Sequence, residues 1–540
     1  MVAAYTAAGF WEDETIYRLA ARQARTIPGA FVVRDRHRRM TYAALVDAAD
    51  RLAASLAGHG ITSGDRVAVW LPSRVETAIT LLACSRNGYV CCPSLNRDHR
   101  VGEILALVDR MRAAAVIGEP GYGVDSDRRD LFAELESRDF VHFGYRVGPA
   151  ETATTPFDEM PGAAIQAPPP SSDANQVMYL PFTSGTTGEP KGVMHSDNTL
   201  LATARMMARD WALNGRVLYT LSPLSHNLGL GALITALTSG GELVVHDLPR
   251  GHSLLDRLEE TGANFLFGVP THAIDLLSEM RARNVQRPAA VRGFRISGAA
   301  APPLVVRELM SRGVVTQSGY GMTETCSHQY TLPDDPPERI VETCGRACEG
   351  FEVRIWRRDN PNAEAASGEI GQIGARGASL MLGYFDDQAA TEAAFNAQGW
   401  FMTGDLGWMD ECGYLRVAGR QKDIIIRGGH NIYPGRIEAL ATRHDAVERA
   451  AAFPVADPRL GERVCLAVVA REDMVVEPEA ILRHLDMAGL SRYDMPEFIL
   501  LLEEMPLTAG GKVIKRELVR RVEEDGLRPV PVRFRPPVPD

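Results

Sequence analysis

The feature that most constrains the fold of this 540-residue chain is a regular alternation of strand and helix patterns from residue 177 onward. Apolar runs typical of buried strands, such as 216–221, 264–269 and 293–297, alternate with segments of helical periodicity such as 197–213. This order predicts parallel strands joined by right-handed crossovers, with helices on both faces of the sheet. We therefore expect an α/β fold built on doubly wound parallel sheets.

The chain is too long for one ordinary hydrophobic core, so more than one domain is expected. Helix-then-strand patterns at 41–70 and 75–93 precede the alternation, and the composition changes near residue 420. The segment 148–173 is rich in Pro, Ala, Ser and Thr, which indicates a surface connection. We expect a large N-terminal domain over 1–420, a small mobile α+β domain over 421–530 and a loose proline-rich tail over 531–540.

Composition excludes several classes of function. The 58 basic and 69 acidic side chains leave a net charge of −11, which argues against nonspecific binding to nucleic acid or an anionic membrane. No run approaches the roughly 18 apolar residues of a membrane span, and the first residues lack the pattern of a signal peptide. The eight cysteines are dilute, and "CGRAC" at 344–348 has no second cluster to complete a zinc site. We expect a cytoplasmic protein with reduced thiols.

Glycine-rich and polar segments follow several predicted strands. In doubly wound sheets, ligands bind beyond the carboxyl ends of the strands. We therefore expect five segments to converge on one crevice: 183–192, 222–227, 270–272, 298–301 and 318–324.

The first of these segments, "TSGTTGEPKG" at 183–192, has the composition of a phosphate-binding loop. Small residues let the backbone approach an anion closely, and the hydroxyl groups add donors. The segment is not a Walker A loop, because its glycine spacing differs and Gly192 rather than Ser or Thr follows Lys191.

This loop closely resembles the phosphate-binding motif of the adenylate-forming superfamily, which includes acyl-CoA synthetases, adenylation domains of nonribosomal peptide synthetases and firefly luciferase. Further motifs match the superfamily in order: "MTYAAL" (40–45), "SPLSHNLG" (222–229), "YGMTET" (320–325), "GEIGQIGARG" (368–377), "GWFMTGDLGWMDECGYLRVAGRQKD" (399–423), "GGHNIYP" (428–434) and "PLTAGGKVIKREL" (506–518). The chain is most similar to bacterial ligases for medium-chain and cyclohexanecarboxylate-type acids, which implies a role in fatty acid metabolism.

The resemblance implies that a carboxylic acid reacts with ATP to give acyl-AMP and pyrophosphate, and that the acyl group then passes to CoA. Positive charge must converge where the phosphorus gathers negative charge, and Lys512 resembles the lysine that bridges carboxylate and α-phosphate. Glu324 resembles the ligand of Mg²⁺. Asp405 and Arg420 resemble the two ribose contacts.

The resemblance also implies wider sets of site residues. The catalytic set is Lys512, Thr186, Glu324 and His226, of which Glu324 is also the metal ligand. The nucleotide set is Thr183, Ser184, Gly185, Thr187, Gly188, Lys191, Tyr320, Gly321, Thr323, Asp405 and Arg420, with Tyr320 against the adenine and Thr323 near the α-phosphate.

A hinge is implied at Lys422, because one cleft cannot present Lys512 to ATP and then admit a bulky thiol along the same path. Rotation would bring up Gly428 and Gly429, whose backbone can lie close to the pantetheine arm of CoA, although the pair is also typical of a hairpin turn. The chain departs from the superfamily at Arg436, which replaces an acidic residue.

The acyl pocket is expected to be bounded by His226, Asn227, Gly231, Gly298, Ala299, Gly319 and Met322. Gly229, Ala300 and Ala301 suggest additional room for an aliphatic or alicyclic group, and His226 is expected to gate the pocket. Residues 222–241 contain no Asp or Glu to pair with an ammonium group. A free amino acid is therefore disfavoured, and a neutral organic acid is expected.

Two alternatives to a CoA ligase remain open. One is an acyl-AMP ligase that loads a carrier protein, although "GVDSD" at 123–127 lacks the helix entry of a carrier site. The other is an inactive homologue that only binds nucleotide or acyl adenylate, against which the joint retention of Lys512, Glu324, Asp405 and Arg420 argues. The expected partners are a small carboxylic acid, ATP, Mg²⁺ and CoA, without nucleic acid or an integral membrane segment. A homodimer is compatible with the sequence, which leaves the oligomeric state open.

Overall fold

The computed structural model describes residues 2–93, 97–148, 167–183, 190–249, 251–288, 290–508 and 511–534. The helices in this part of the chain are α1 Val2–Ala7, α2 Ile16–Thr26, α3 Tyr42–Gly58, α4 Val75–Asn87, α5 Val101–Met111, α6 Leu131–Leu135, α7 Asp197–Asp210, α8 Asn227–Ser239, α9 Leu254–Thr261, α10 Pro270–Ala282, α11 Pro303–Ser311, α12 Pro337–Glu342, α13 Gln388–Ala393, α14 Pro434–Ala441, α15 Pro478–Met487 and α16 Lys515–Glu523.

The strands up to residue 330 are β1 Phe31–Arg34, β2 Arg39–Thr41, β3 Arg66–Trp70, β4 Val90–Cys92, β5 Ala113–Gly118, β6 Phe143–Arg146, β7 Val177–Tyr179, β8 Phe182–Thr183, β9 Lys191–Ser196, β10 Val217–Thr220, β11 Glu242–Val245, β12 Phe265–Gly268, β13 Gly293–Ile296, β14 Val315–Met322 and β15 Cys326–Tyr330. The later strands are β16 Arg346–Ala347, β17 Phe351–Trp356, β18 Gly371–Gly377, β19 Gly383–Tyr384, β20 Phe401–Met409, β21 Leu415–Arg420, β22 Ile425–Arg427, β23 His430–Ile432, β24 Val447–Asp457, β25 Gly461–Ala470, β26 Phe498–Leu502 and β27 Val530–Pro531.

Two large sheets form the body of the molecule. One has the order β16-β15-β14-β13-β12-β10-β11-β1-β2, and the other has the order β19-β9-β7-β4-β3-β5-β6. Strands β10 to β14 pair in parallel, as do β3 to β7. The almost continuous apolar burial of β3, β4, β5 and β12 is typical of parallel sheets covered on both faces. Every residue of α4 is buried, and residues of α3, α4 and α8 share one apolar cluster with strands of both sheets. The α/β expectation is confirmed.

The structure corrects several details of that expectation. The strands from residue 177 onward divide between the two sheets, because β7 pairs with β4 while β10 starts a new series. Strand β9 is antiparallel to β7 and was not predicted, and β17, β18, β20 and β21 form a separate antiparallel sheet. Two of the five expected loops are regular structure: 270–272 is the first turn of α10, and 318–322 continues β14.

The C-terminal residues form their own sheet, in the order β23-β22-β25-β26-β27 with β24 paired to β25. Helices α14 and α15 contribute to one of its apolar clusters, and α16 contributes to the other. The expectation of a loose tail is wrong near residue 531. Pro531 pairs with Phe498, the Val532 N–H donates to the Glu497 carbonyl (2.9 Å), and Phe534 packs on the core. Proline is compatible with such an edge strand, where a missing donor is tolerated.

Two findings concern the expected absence of a membrane span and the expected reduced thiols. No helix among the described residues is long and apolar enough to cross a bilayer. All eight cysteines lie in the described ranges, and all eight are free thiols.

Candidate active site

Lys512 reaches the large sheets from a loop of the C-terminal sheet. The loop is closed by two bonds to Thr508, whose Oγ1 accepts from the Lys512 N–H (3.1 Å) and whose N–H donates to the Lys512 carbonyl (2.8 Å). Gly511 has a φ of +74°, and a Cβ placed on it would lie 2.7 Å from Thr271 Oγ1. Only glycine fits this close approach to α10. The Lys512 Cε lies 3.5 Å from the position that a Cβ of Gly298 would take, so the side chain enters the crevice after β13.

The charges around Lys512 come from widely separated parts of the sequence. Burial lowers the pKa of Lys512 below its usual value, and the nearby Arg420 lowers it further. Asp405 and Glu324 act in the opposite direction. The structure therefore brings together the four residues expected to act on the nucleotide.

Asp405 is held between a tyrosine and an arginine. It stands opposite Arg420 in the pairing of β20 with β21, and the Arg420 Nε lies 3.5 Å from its Oδ1. The Tyr320 hydroxyl donates to its Oδ2 (2.8 Å). Burial raises the pKa of Asp405, while Arg420 and the Tyr320 bond lower it. An ionised carboxylate of this kind, which already attracts one hydroxyl and one guanidinium group, is suited to accept hydrogen bonds from a diol.

Glu324 forms a second polar group with Tyr384 and Lys191. The Tyr384 hydroxyl donates to Glu324 Oε1 (3.0 Å), and the Lys191 Nζ lies 4.6 Å from the centre of the Tyr384 ring. Burial raises the pKa of Glu324. No group of three or more His, Cys, Asp or Glu side chains that could hold a metal ion occurs among the described residues. A single buried carboxylate fits Mg²⁺, which usually takes its remaining ligands from water and substrate phosphates.

The two ends of the phosphate loop are paired as a hairpin. Thr183 of β8 stands opposite Lys191 of β9, and the Thr183 hydroxyl lies 3.4 Å from the Lys191 carbonyl oxygen. This pairing holds both loop ends beside the Glu324 group. The predicted phosphate contacts Ser184, Gly185, Thr186, Thr187 and Gly188 lie outside the described residues.

His226 is the N-cap of α8, because its Nδ1 accepts from the Leu228 N–H (3.3 Å). Burial, and next the charge of Lys512, lowers the pKa of His226 to about 4. The ring is therefore neutral near pH 7, which agrees with a role in shaping the pocket rather than in donating a proton. The neighbouring Asn227 side chain hydrogen-bonds Cys326, and burial raises the pKa of that thiol to about 12.

The small residues predicted to leave room for the acid serve different purposes. A Cβ on Gly231 would meet nothing within 4 Å, which fits an open pocket. The expectation is wrong for Gly229, where a Cβ would lie 2.2 Å from the Pro223 carbonyl oxygen, so this glycine allows α8 to pack on its own entry loop. It is also wrong for Ala301, which packs against the apolar clusters beside α11.

Gly428 and Gly429 form the turn of a hairpin. Their φ angles are +57° and +85°, and Arg427 pairs with His430 across them. Positive φ at both positions is the geometry of a two-residue hairpin turn, which glycine favours. Lys422 is exposed in the short 3₁₀ turn Gln421–Asp423, between the last strand of the antiparallel sheet and the first strand of the C-terminal sheet.

The departure at Arg436 is accommodated locally. The Arg436 guanidinium donates to the Gly489 carbonyl (3.2 Å) within the C-terminal sheet and its helices. The retained Glu438 accepts from the Ala452 N–H (2.9 Å) and pairs with Lys515 (2.6 Å). Glu438 therefore joins α14, β24 and α16, and α16 follows directly on the loop of Lys512.

Comparison with known proteins decides the family. The sequence profile described as "AMP-binding enzyme" matches residues 20–385, and the one described as "AMP-binding enzyme C-terminal domain" matches residues 436–512. The chain belongs to the AMP-binding enzyme family. The resemblance to adenylate-forming enzymes is thereby confirmed.

Relatives and solved structures cover almost all of this AMP-binding enzyme. It is 30% identical over 538 residues to the medium-chain fatty-acid–CoA ligase of Escherichia coli, with 97% of this chain and 94% of that protein covered. It is 33% identical to the sulfoacetate–CoA ligase of Cupriavidus necator, with 89% and 92% covered. The ATP-bound crystal structure of MatB from Rhodopseudomonas palustris superposes with a TM-score of 0.82 at 26% identity, covering 95% of this chain and 100% of that one.

Two buried residues near the site of this AMP-binding enzyme were not predicted from the sequence. His195 follows the phosphate loop on β9, and its Nε2 lies 2.7 Å from the Thr323 carbonyl oxygen. Arg295 lies on β13, and its guanidinium contacts the backbone at Gly319. The only sequence pattern that pointed to either was a polar residue inside an apolar strand.

His195 is placed to position the backbone between Thr323 and Glu324. Burial lowers its pKa to about 4, so the ring is neutral and the proton lies on Nε2, facing the carbonyl. We expect His195→Leu to raise the KM for ATP about tenfold, because one buried hydrogen bond is lost and its acceptor is left unpaired. His195→Gln, which keeps a donor at the same distance along the side chain, should raise it much less. Equal effects of the two variants in steady-state kinetics would contradict this positioning role.

Proposed function

We propose that this chain converts a carboxylic acid to its CoA thioester with ATP, through an acyl-AMP intermediate, and releases pyrophosphate and AMP. The observation that carries the proposal is the entry of Lys512 beside Gly298, where Asp405, Arg420 and Glu324 act on its charge. A cation brought in from a separate sheet is needed to form a bond between two anions, whereas nucleotide binding alone does not require it. This argues against an inactive homologue.

In the first step, the role of Lys512 is to draw the ionised carboxylate and the α-phosphate together. The acid needs no base at neutral pH, because a carboxyl group is already ionised. Asp405 and Arg420 would hold the ribose, and Tyr320, which lies against Asp405, would flank the adenine. Glu324 would hold Mg²⁺, which supplies charge neutralisation on the departing pyrophosphate.

In the second step, the C-terminal sheet would turn about Lys422 and withdraw Lys512. The hairpin at Gly428 and Gly429 would then line the path of the pantetheine arm. We place the domain boundary at residue 420, because β21 ends there and the C-terminal sheet begins with β22. The CoA acceptor is favoured over a carrier protein by relatives that are named CoA ligases and that match over most of their length. ATP and CoA meet in the cytoplasm, where we expect the enzyme to act.

The experiment that tests this function is pyrophosphate release across linear, alicyclic and aromatic acids, with and without CoA. We expect at least one acid class to support release, and CoA to convert the accumulated acyl adenylate to acyl-CoA and AMP. Liquid chromatography of the nucleotides distinguishes the products. The CoA assignment fails if acyl adenylate forms and stays unchanged when CoA is added.

A further inference from the structure

A fully buried arginine beside the predicted acyl pocket has no anionic partner among the described residues. Arg295 is 0% exposed, and its Nη1 donates to Gln317 Oε1 (2.5 Å). Within the described part of the chain its Nε and Nη2 have no hydrogen-bond partner, and neither has the Nε2 of the equally buried Gln317. The titratable side chains that influence the guanidinium are Tyr330 and two cysteines, all of which burial keeps uncharged near pH 7, and no carboxylate is among them. Three nitrogen atoms therefore carry N–H donors without an acceptor.

Two contacts place this guanidinium next to the acyl pocket. A Cβ on Gly319 would lie 2.8 Å from the Arg295 Nη2 and 2.9 Å from its Nη1, so glycine leaves the space that the arginine fills. Gly319 is the residue before Tyr320, whose hydroxyl reaches Asp405. The Arg295 Cζ also lies 5.6 Å from the centre of the Tyr330 ring, and Tyr330 belongs to the same apolar cluster as Leu228 of α8.

The Arg295 side chain does not lie on the face of β13 that α10 and α11 cover. Phe294 and Ile296, the neighbours of Arg295 in sequence, pack with residues of α10 and α11. Phe267 stands opposite Arg295 in the pairing of β12 with β13, and it shares an apolar cluster with residues of α8. Because side chains alternate along a strand, Arg295 faces the α8 side, and α8 carries the predicted pocket residues Asn227 and Gly231.

Burial of an unpaired guanidinium is energetically costly unless an anion binds to it. It lowers the pKa of Arg295 to about 10, so the guanidinium stays charged at neutral pH. An unpaired buried charge destabilises the folded protein strongly, as does the breaking of a buried ion pair. The planar fork of arginine matches two oxygens of a carboxylate or sulfonate, which would use the free Nε and Nη2 together.

We propose that Arg295, together with Gln317, binds a second anionic group at the far end of the acyl substrate, so that the enzyme activates a doubly anionic acid such as a dicarboxylate. This inference rests on the proposed ligase function and names its substrate class. It replaces the expectation of a neutral acid, which followed from the absence of Asp and Glu in 222–241. One carboxylate is adenylated near Lys512, while the other pairs with Arg295 and does not react.

The kinetic test compares the α,ω-dicarboxylates from succinate to suberate, each beside the unbranched monoacid of the same chain length. We expect the wild-type kcat/KM to favour one dicarboxylate over its monoacid. Arg295→Met should lower kcat/KM for that dicarboxylate about 100-fold, as expected when one member of a buried charge pair is removed, and should leave the monoacid unchanged or improved. Arg292→Met, at an exposed arginine just before the same strand, is the matched control and should change neither.

A binding measurement separates this inference from the proposed function. Calorimetry with two acyl-sulfamoyl adenosines, one ending in a methyl group and one in a carboxylate, requires no turnover. We expect the wild type to bind the carboxylate compound more tightly, Arg295→Met to lose that preference, and Arg295→Lys to keep part of it.

The outcomes differ for the two proposals. If no acid supports pyrophosphate release, the proposed function fails, and the calorimetric preference still decides the role of Arg295. If monoacids are turned over at least as well at every length, or if Arg295→Met weakens both ligands by the same factor, the inference is overturned while the ligase function stands. Thermal unfolding of each variant shows whether it is folded, and Arg295→Lys replaces Arg295→Met if the latter is not.

Discussion

Replacing Lys512 with alanine is expected to slow carboxylate-dependent pyrophosphate release about 100- to 1,000-fold, the usual cost of removing one preorganised group that stabilises transition-state charge. The physical reason is that Lys512 enters the crevice from the C-terminal sheet, next to Gly298 and within the influence of Asp405 and Glu324. Thiolysis of supplied acyl adenylate should be largely retained, because the proposed rotation of the C-terminal sheet withdraws the lysine in that step. Separate assays of the two half reactions measure both rates.

The neighbouring lysine provides the control for this prediction. Lys515 pairs with Glu438 (2.6 Å) and joins α16 to α14 and β24, away from the crevice. Lys515→Ala should therefore leave pyrophosphate release within a few-fold of the wild-type rate, with a modest loss of thermal stability. If Lys512→Ala slowed both half reactions by the same factor, the assignment of Lys512 to the adenylation step would be wrong.

The largest expected effect on stability comes from Glu76, far from the chemistry. Its side chain is 0% exposed and bonds two buried arginines, Arg38 (2.8 Å to Oε2) and Arg74 (2.7 Å to Oε2). Arg38 lies at the turn between β1 and β2 of one large sheet, whereas Glu76 opens α4, which follows β3 of the other. Glu76→Ala leaves two guanidinium groups buried without this partner. We expect a loss of about 3–5 kcal/mol in the free energy of unfolding, measured with urea.

A surface carboxylate with a similar bonding pattern is the matched control. Glu260 also bonds two arginines, Arg34 (2.5 Å) and Arg257 (2.9 Å), but its side chain is 54% exposed. Glu260→Ala should cost markedly less than Glu76→Ala, because solvent reaches the Glu260 carboxylate and screens its two ion pairs, even though the Arg257 side chain is only 4% exposed. Similar losses in the two variants would show that burial does not set the strength of the Glu76 group.

Much of the fold could be predicted because its strands are short, apolar and bounded by helical segments. Strands β10, β12 and β13 were placed within about two residues, since short runs of buried residues leave little ambiguity. The antiparallel sheet was missed because its strands, such as "GQIGARG" at β18, are rich in glycine and lack regular alternation. The edge strand at Pro531 was missed because proline content indicates loops on average, whereas pairing depends on a tertiary neighbour.

The candidate site shows a similar division. The resemblance to adenylate-forming enzymes selected Lys512, Glu324, Asp405 and Arg420, which periodicity alone could not have related across the chain. The structure then brought them together. His195 and Arg295 could not be found this way, because their importance depends on burial and on which atoms lack partners. The same holds for Gly229 and Ala301, since a small residue leaves space only when nothing else fills it.

Lysine is scarce in this chain, and this has a practical consequence for chemical labelling. Of the 58 basic residues only four are lysines, at positions 191, 422, 512 and 515, and these stand at the phosphate loop, in the turn before the C-terminal sheet, in the loop that enters the crevice and at the start of α16. Among them Lys512 has a lowered pKa, which increases the fraction of uncharged, nucleophilic amine. An amine-selective reagent would therefore have at most three other lysine side chains to modify. The protection of Lys512 by bound ligands could then be followed by mass spectrometry on the wild-type protein.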